Sequence, residues 1–138
     1  CPYVKHVNKT IVEIANKYQQ SGIKFVAISS NDVLNYPEDS PELMKENAIE
    51  YNFSFPYLYD ESQQTALEYD AACTPDFYLY NSSMELIYRG QLDDSRPGNN
   101  LSCDGDDLNN AIDCLIEKRI NDRIQKPSIG CNIKWKTS

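Results

Sequence analysis

The spacing of apolar residues changes period repeatedly along this chain, and that alternation restricts the fold more than any other feature. Val4, Val7, Ile11, Ile14, Ala15 and Tyr18 recur three or four apart, which predicts an amphipathic helix over 3–20. Pro2 suits the first helical position, where its missing N–H costs nothing, and Ser21-Gly22 supplies the stop. "KFVAISS", 24–30, then reads as a short buried strand. Pro41 opens a second helix, about 41–51, with Asp39 or Ser40 as its cap. "FPYLYD" is extended, and Asp60 is expected to cap a third helix, 61–70, with Gln63 in the capping-box position. "DFYLY", 76–80, and "ELIYRG", 85–90, flank Asn81-Ser82-Ser83 and predict a hairpin. A turn-rich loop leads to a last helix, about 106–120, whose core face is Leu108, Ala111, Ile112, Leu115 and Ile116. Helices alternating with strands, then a hairpin and a helix, make this an α/β chain. The division expected is one domain over 1–120 and a tail, 121–138, packed on it through Ile124, Ile129, Ile133 and Trp135.

Charge narrows the partners. The net charge is −8, from 13 basic and 21 acidic residues, so nucleic acid and anionic membranes are repelled. No run approaches the ~18 apolar residues of a membrane span. Asn8, Asn52, Asn81 and Asn100 begin glycosylation sequons, which arise often by chance. Asp104, Asp106 and Asp107 lack the ligand order and closing Glu of a calcium loop and read as an acidic helix start.

The cysteines carry the chemical interest. There are five, Cys1, Cys73, Cys103, Cys114 and Cys131, and His6 is the single histidine. No close-spaced Cys/His pairs suit zinc, so no metal and no cofactor are expected. Cys1-Pro2 puts a thiol at the positive end of a helix, where backbone N–H groups favour thiolate. The plainer reading is a small capping residue. "CTPDFYLY" places Thr74-Pro75 just before a strand, either as a cis turn facing a substrate or as an ordinary trans start to an edge strand. Cys73 and Cys131 read either as redox partners or as small buried hydrophobes. His6, one turn into the helix, reads as a surface residue that could otherwise tune a nearby thiol.

Taken together, "CPYVKHV", "VAISSNDVLNYPEDSPELMKENA", "FPYLYDESQQTA", "AACTPDFYLY", "YRGQLDDSRPGNN" and "QKPSIGCNIKWK" resemble, in order, the thioredoxin-like peroxiredoxin relatives. These are the alkyl hydroperoxide reductase/thiol-specific antioxidant, or redoxin, group. The resemblance implies a thioredoxin-like fold, a mixed sheet flanked by helices, without its N-terminal strands. Cys1-Pro2-Tyr3-Val4 matches the second half of that group's C-x-x-C-P sequence, so the attacking cysteine would lie three positions before Cys1. The sequence is accordingly expected to be the later part of a longer protein. A lipoprotein-type cleavage would also put cysteine first, but it leaves the match to the motif without an explanation. On this reading "KFVAISS" and "DFYLY" each lack a neighbouring strand.

The implied activity is thiol–disulfide exchange or peroxide reduction. Cys1 is then the resolving thiol, Cys73 and Cys131 are alternative resolving thiols, and Thr74 and Pro75 form the substrate-facing turn. Arg89 and Arg96 fall on no position matching the peroxide-polarising arginine of peroxiredoxins, which ranks disulfide exchange first. The partners implied are a protein or small-molecule disulfide, or a peroxide, and a thioredoxin-type reductant. Homo-oligomers are compatible with this reading. The setting expected is the cytoplasm, with a secreted or periplasmic one as the alternative. The rival function is a redox-inactive thioredoxin-like module that grips a peptide at the proline turn.

Overall fold

The computed structural model describes residues 1–137; Ser138, the end of the expected tail, lies outside the described residues. In chain order the elements are α1 (Pro2–Tyr18), β1 (Ala27–Ser29), α2 (Pro41–Glu50), β2 (Tyr57–Tyr59), α3 (Gln64–Glu68), β3 (Cys73–Thr74), β4 (Phe77–Tyr80), β5 (Leu86–Gly90), α4 (Asp106–Glu117) and β6 (Cys131–Asn132). This is a mixed α/β chain with parallel and antiparallel pairings. Among the described residues no helix is long and apolar enough to cross a membrane. The chain divides into two compact units, one of Cys1–Ile14 with Cys73–Cys131, the other of Ala15–Ala72 with the residues from Asn132 onward.

In the first unit, α1 starts at Pro2 as its sequence requires. β4 and β5 form the expected antiparallel hairpin, pairing Phe77 with Gly90, Tyr78 with Arg89 and Leu79 with Tyr88, before an irregularity at Leu79/Tyr80. Asn81 builds the turn, its side-chain oxygen accepting the N–H groups of Ser83 and Glu85. α4 begins where Gly105, at φ +71°, brings its backbone against Ile14 so closely that a Cβ would collide with that side chain. The first N–H groups of α4, those of Asp107 and Leu108, are accepted by the Leu92 carbonyl, each at 3.1 Å. Lys118, at φ +54°, ends the helix. Leu108, Ala111, Ile112 and Cys114 are buried, whereas Ile116 is exposed. The buried stripe is therefore turned around the helix toward Cys114 and away from Ile116.

In the second unit, Tyr18 is followed by a short 3₁₀ turn, and Gly22, at φ +81°, closes it by donating to the Gln19 carbonyl. β1 and β2 pair in parallel, Ala27 with Tyr57, Ile28 with Leu58 and Ser29 with Tyr59, and α2 forms the crossover. Ser40 caps α2, its hydroxyl accepting from the Leu43 N–H at 3.4 Å. Phe53 stacks on Phe55 at 4.7 Å between ring centroids, with Phe25 and Tyr57 tilted around them.

Two expectations fail in this unit. The buried strand over 24–30 is only Ala27–Ser29, and Val26 and Ile28 are 56% and 44% exposed. A strand is buried on both faces only when layers cover both, and an apolar run cannot report how many neighbours it has. The third helix is shorter than expected, and Gln63 does not form a capping box. Asp60 does accept the N–H groups of Thr65 and Ala66. Gln63, at φ +65°, instead sends its amide to the Ser30 and Lys134 carbonyls at 2.7 and 2.9 Å and accepts the Lys136 N–H. Of the apolar residues expected to pack the tail, Ile133 is buried and Trp135 exposed in this unit, and Ile124 and Ile129, in the first unit, are exposed.

Ile112 is the most enclosed large side chain, at 1% exposure. Ile112→Ala is expected to lower unfolding stability by about 2–5 kcal/mol, measured by urea denaturation. Ile116→Ala, on the same helix but exposed, should change it by less than about 0.5 kcal/mol.

Candidate functional site

The first unit brings residue 1 against residue 74. The Cys1 sulfur lies 3.8 Å from the Thr74 carbonyl oxygen, to which its thiol donates, and 3.7 Å from the Thr74 hydroxyl, which donates to it. One thiol thus makes both hydrogen bonds open to it. On ionisation the hydroxyl still donates to sulfur, whereas the carbonyl loses its donor. The hydroxyl thus favours the anion and the carbonyl the neutral thiol, and the two together hold the group in place. α1 fixes Cys1 from the other side, through the Lys5 N–H donating to the Cys1 carbonyl at 3.1 Å.

The Thr74-Pro75 peptide is cis, which replaces the ordinary trans reading of that dipeptide. Its back is closed by Gly130. A Cβ there would collide with the Thr74 carbonyl oxygen and stand 3.2 Å from the Pro75 nitrogen, so only glycine lets the tail run this close. Ser128 adds to the clamp, its hydroxyl within hydrogen-bonding distance of Asp76 and the Gly90 carbonyl.

Beside Pro75 opens a narrow cleft of about 20 Å³. Tyr3, His6 and Val7, three and four apart on α1, form one wall, and Phe77, Arg96 and Ile129 contribute to the rest. The volume suits one small group and not a bulky ligand.

A polar network lies along this cleft. Asp93 is buried, and its carboxylate accepts the N–H groups of Ser95 and Gly105, each at 2.8 Å, together with the Ser95 hydroxyl. That hydroxyl also meets His6 Nε2 at 2.9 Å. The carboxylate takes the hydroxyl's proton, so His6 Nε2 must be the donor to Ser95. His6 is therefore half-buried and held by the loop, not a surface residue, because the chain after β5 folds back over α1. Arg96 donates to the Asp93 and Ser95 carbonyls, both at 2.7 Å, and to Gln91 Oε1.

From sequence, "QLDDSRPGNNLSCDGDD" is a loop rich in turn residues, and nothing in that reading reveals this network. Gln91, Asp93 and Ser95 are all buried. A detectable signal was the crowding of Asp, Ser and Arg between two apolar elements. Such residues can hydrogen-bond a loop's backbone as readily as face water.

The remaining sequence-derived candidates are placed as follows. Cys73 is half-buried, its sulfur donating to the Ser128 carbonyl at 3.6 Å. Burial pushes the Cys73 thiol up from its ordinary value, helped by the Asp76 carboxylate, opposed by Arg89, and raised further by the neighbouring Cys131 thiol. Cys103 is likewise raised, chiefly by burial. Cys131 is half-buried at the start of β6. Asn8 and Thr10 are buried on α1, and the Thr10 hydroxyl donates to the Cys103 carbonyl. Asp106 and Asp107 bond Arg123. Among the described residues no cluster of His, Cys, Asp and Glu could hold a metal.

No protein-family model matches this chain, and no curated protein does. Solved bacterial structures do match. An uncharacterized conserved protein from Geobacillus kaustophilus is 56% identical over 100% of this chain and 73% of its own, with a TM-score of 0.97. A hypothetical protein from Sinorhizobium meliloti 1021 is 43% identical over 100% of this chain and 75% of its own, with a TM-score of 0.98.

Thr74→Val removes the hydroxyl that donates to the Cys1 sulfur. It is expected to move the pH profile of Cys1 alkylation upward and to slow alkylation at neutral pH about fivefold, the equivalent of one hydrogen bond. Thr74→Ser should preserve the profile. A second expectation concerns pH and stability. The folded chain holds Cys73 and Cys103 protonated beyond the ordinary thiol value of 9.0, so the unfolded chain releases those protons first. Their contribution is complete below that value and is lost as pH rises through the higher folded values. The urea midpoint should therefore fall between about pH 8 and about pH 10, and by less in a Cys73→Ser/Cys103→Ser variant.

Proposed function

This chain belongs to the same family as those Geobacillus and Sinorhizobium proteins, and we propose that it is a thioredoxin-fold, redoxin-like protein acting through cysteine exchange chemistry. The reading rests above all on the Cys1 sulfur meeting both the hydroxyl and the carbonyl of Thr74, next to Pro75. A thiol at a helix start, facing a turn that offers backbone groups to an extended substrate, is suited to passing a disulfide between itself and a bound chain. The alternation of β1, α2 and β2, followed by the β4–β5 hairpin and α4, agrees with the order of elements in such a fold. Cys1, which the resemblance casts as the resolving thiol of a C-x-x-C-type pair, is in this reading the thiol that exchanges with the substrate disulfide.

Disulfide exchange is favoured over peroxide reduction. Peroxide chemistry calls for an arginine beside the reacting sulfur. Arg96 is committed to the Asp93 and Ser95 carbonyls and to Gln91, and Arg89 bonds Asp76 at 3.4 Å and lies over the Tyr78 ring. The substrate is then a protein or small-molecule disulfide, renewed by a thioredoxin-type reductant.

The test is exchange with an aromatic disulfide reagent, followed by stopped-flow absorbance at neutral pH. One cysteine should react at least about tenfold faster than the others, in line with a thiol seated at the amino end of a helix. Cys1→Ser should remove that fast phase, and Cys103→Ser should keep it. A fast phase that survives in Cys1→Ser overturns the reading. Retained peptide binding with no fast phase in the unaltered chain makes the protein a redox-inactive binding module instead.

A further inference from the structure

β3 and β6 pair, and two contacts set their direction. The Ile133 N–H donates to the Ala72 carbonyl at 3.2 Å, while at the other end Gly130 lies against the Thr74 carbonyl. Numbers rise along one strand as they fall along the other, so the pair is antiparallel and Thr74 stands opposite Cys131. Opposed residues of an antiparallel pair project to the same face, with β-carbons about 4.5–5.5 Å apart. The Thr74 side chain is the one whose hydroxyl touches the Cys1 sulfur. Cys1, Thr74 and Cys131 therefore share one face. Cys73, one position away, projects to the opposite face, near enough for the Cys131 thiol to act on it electrostatically but with its sulfur held by the Ser128 carbonyl.

We propose that Cys131 is the thiol that takes over a disulfide carried by Cys1, and that Cys73 stands outside this exchange. This rests on the exchange reading and assigns the partner within it. In the first step Cys1 attacks a disulfide; one Cys1–thiol bond forms, the substrate S–S bond breaks, and one thiol leaves. In the second, the Cys131 thiolate attacks the Cys1 sulfur. The Cys1–Cys131 bond forms and the mixed disulfide breaks. The departing sulfur takes the electron pair and the proton released by Cys131. Two protein thiols are oxidised, and one substrate disulfide is reduced to two thiols.

The experiment uses glutathione disulfide as probe, an acid quench, and non-reducing peptide mapping by mass spectrometry. The unaltered chain should yield a peptide linking Cys1 to Cys131. Cys131→Ser and Cys131→Ala, checked for folding by circular dichroism, should stop with one glutathionyl group on Cys1, raised at least about tenfold over the unaltered chain. Cys73→Ser should still form the Cys1–Cys131 link. Equal glutathionylation of Cys1 with and without Cys131, or a Cys1–Cys73 link, overturns the assignment and leaves the exchange reading standing. No glutathione on Cys1 in any variant overturns both.

Discussion

The first unit depends on a single carbonyl being met by two distant segments. The Thr74 oxygen accepts from the Cys1 thiol and lies against the Gly130 backbone. Each contact needs a particular residue. The sulfur needs a side chain that donates hydrogen bonds to it, and the tail needs a residue with no β-carbon. These constraints meet at one carbonyl oxygen, so the start of the helix, the turn and the tail cannot shift independently. Close packing of this kind transmits a displacement in any of the three to the others.

The loop after β5 supplies the second constraint. Buried polar groups are costly unless paired, and here Asp93, Ser95, Gln91 and Arg96 bond one another and the loop backbone. The Asp93 carboxylate also holds the N–H of Gly105, where α4 begins. His6 is tied to the same network through Ser95. The network thus joins α1 to the start of α4 and forms a rigid wall for the cleft beside Pro75.

In the second unit Gln63 has a comparable part. It sits at a left-handed backbone position just before α3, which aims its amide at the Ser30 and Lys134 carbonyls. Asn31 adds a bond to the Lys134 N–H. The backbone of Lys134 and Lys136 is held by side-chain amides, with Ile133 beside them as a buried apolar contact. In sequence, Gln63 resembled a capping-box residue because the spacing from Asp60 was right. Its positive φ redirected it, and spacing carries no information about that angle.

Much of the local structure was legible from neighbouring residues. Pro2 and Gly22 bracket the first helical stretch, Ser40 and Pro41 start α2, and Asn81 turns the hairpin, each through contacts within a few positions. The exposure of Val26 and Ile28, the burial of Asp93 and Ser95, and the tie between His6 and Ser95 were not legible in this way. The sequence by itself determined where helices and turns begin, because caps, proline and glycine act on adjacent backbone groups. Only the tertiary structure decided that a sulfur at position 1 meets a carbonyl at position 74, and that Cys131 rather than Cys73 shares its face. Those pairings join residues far apart in the chain, and their formation depends on loop closure and packing that no local pattern encodes.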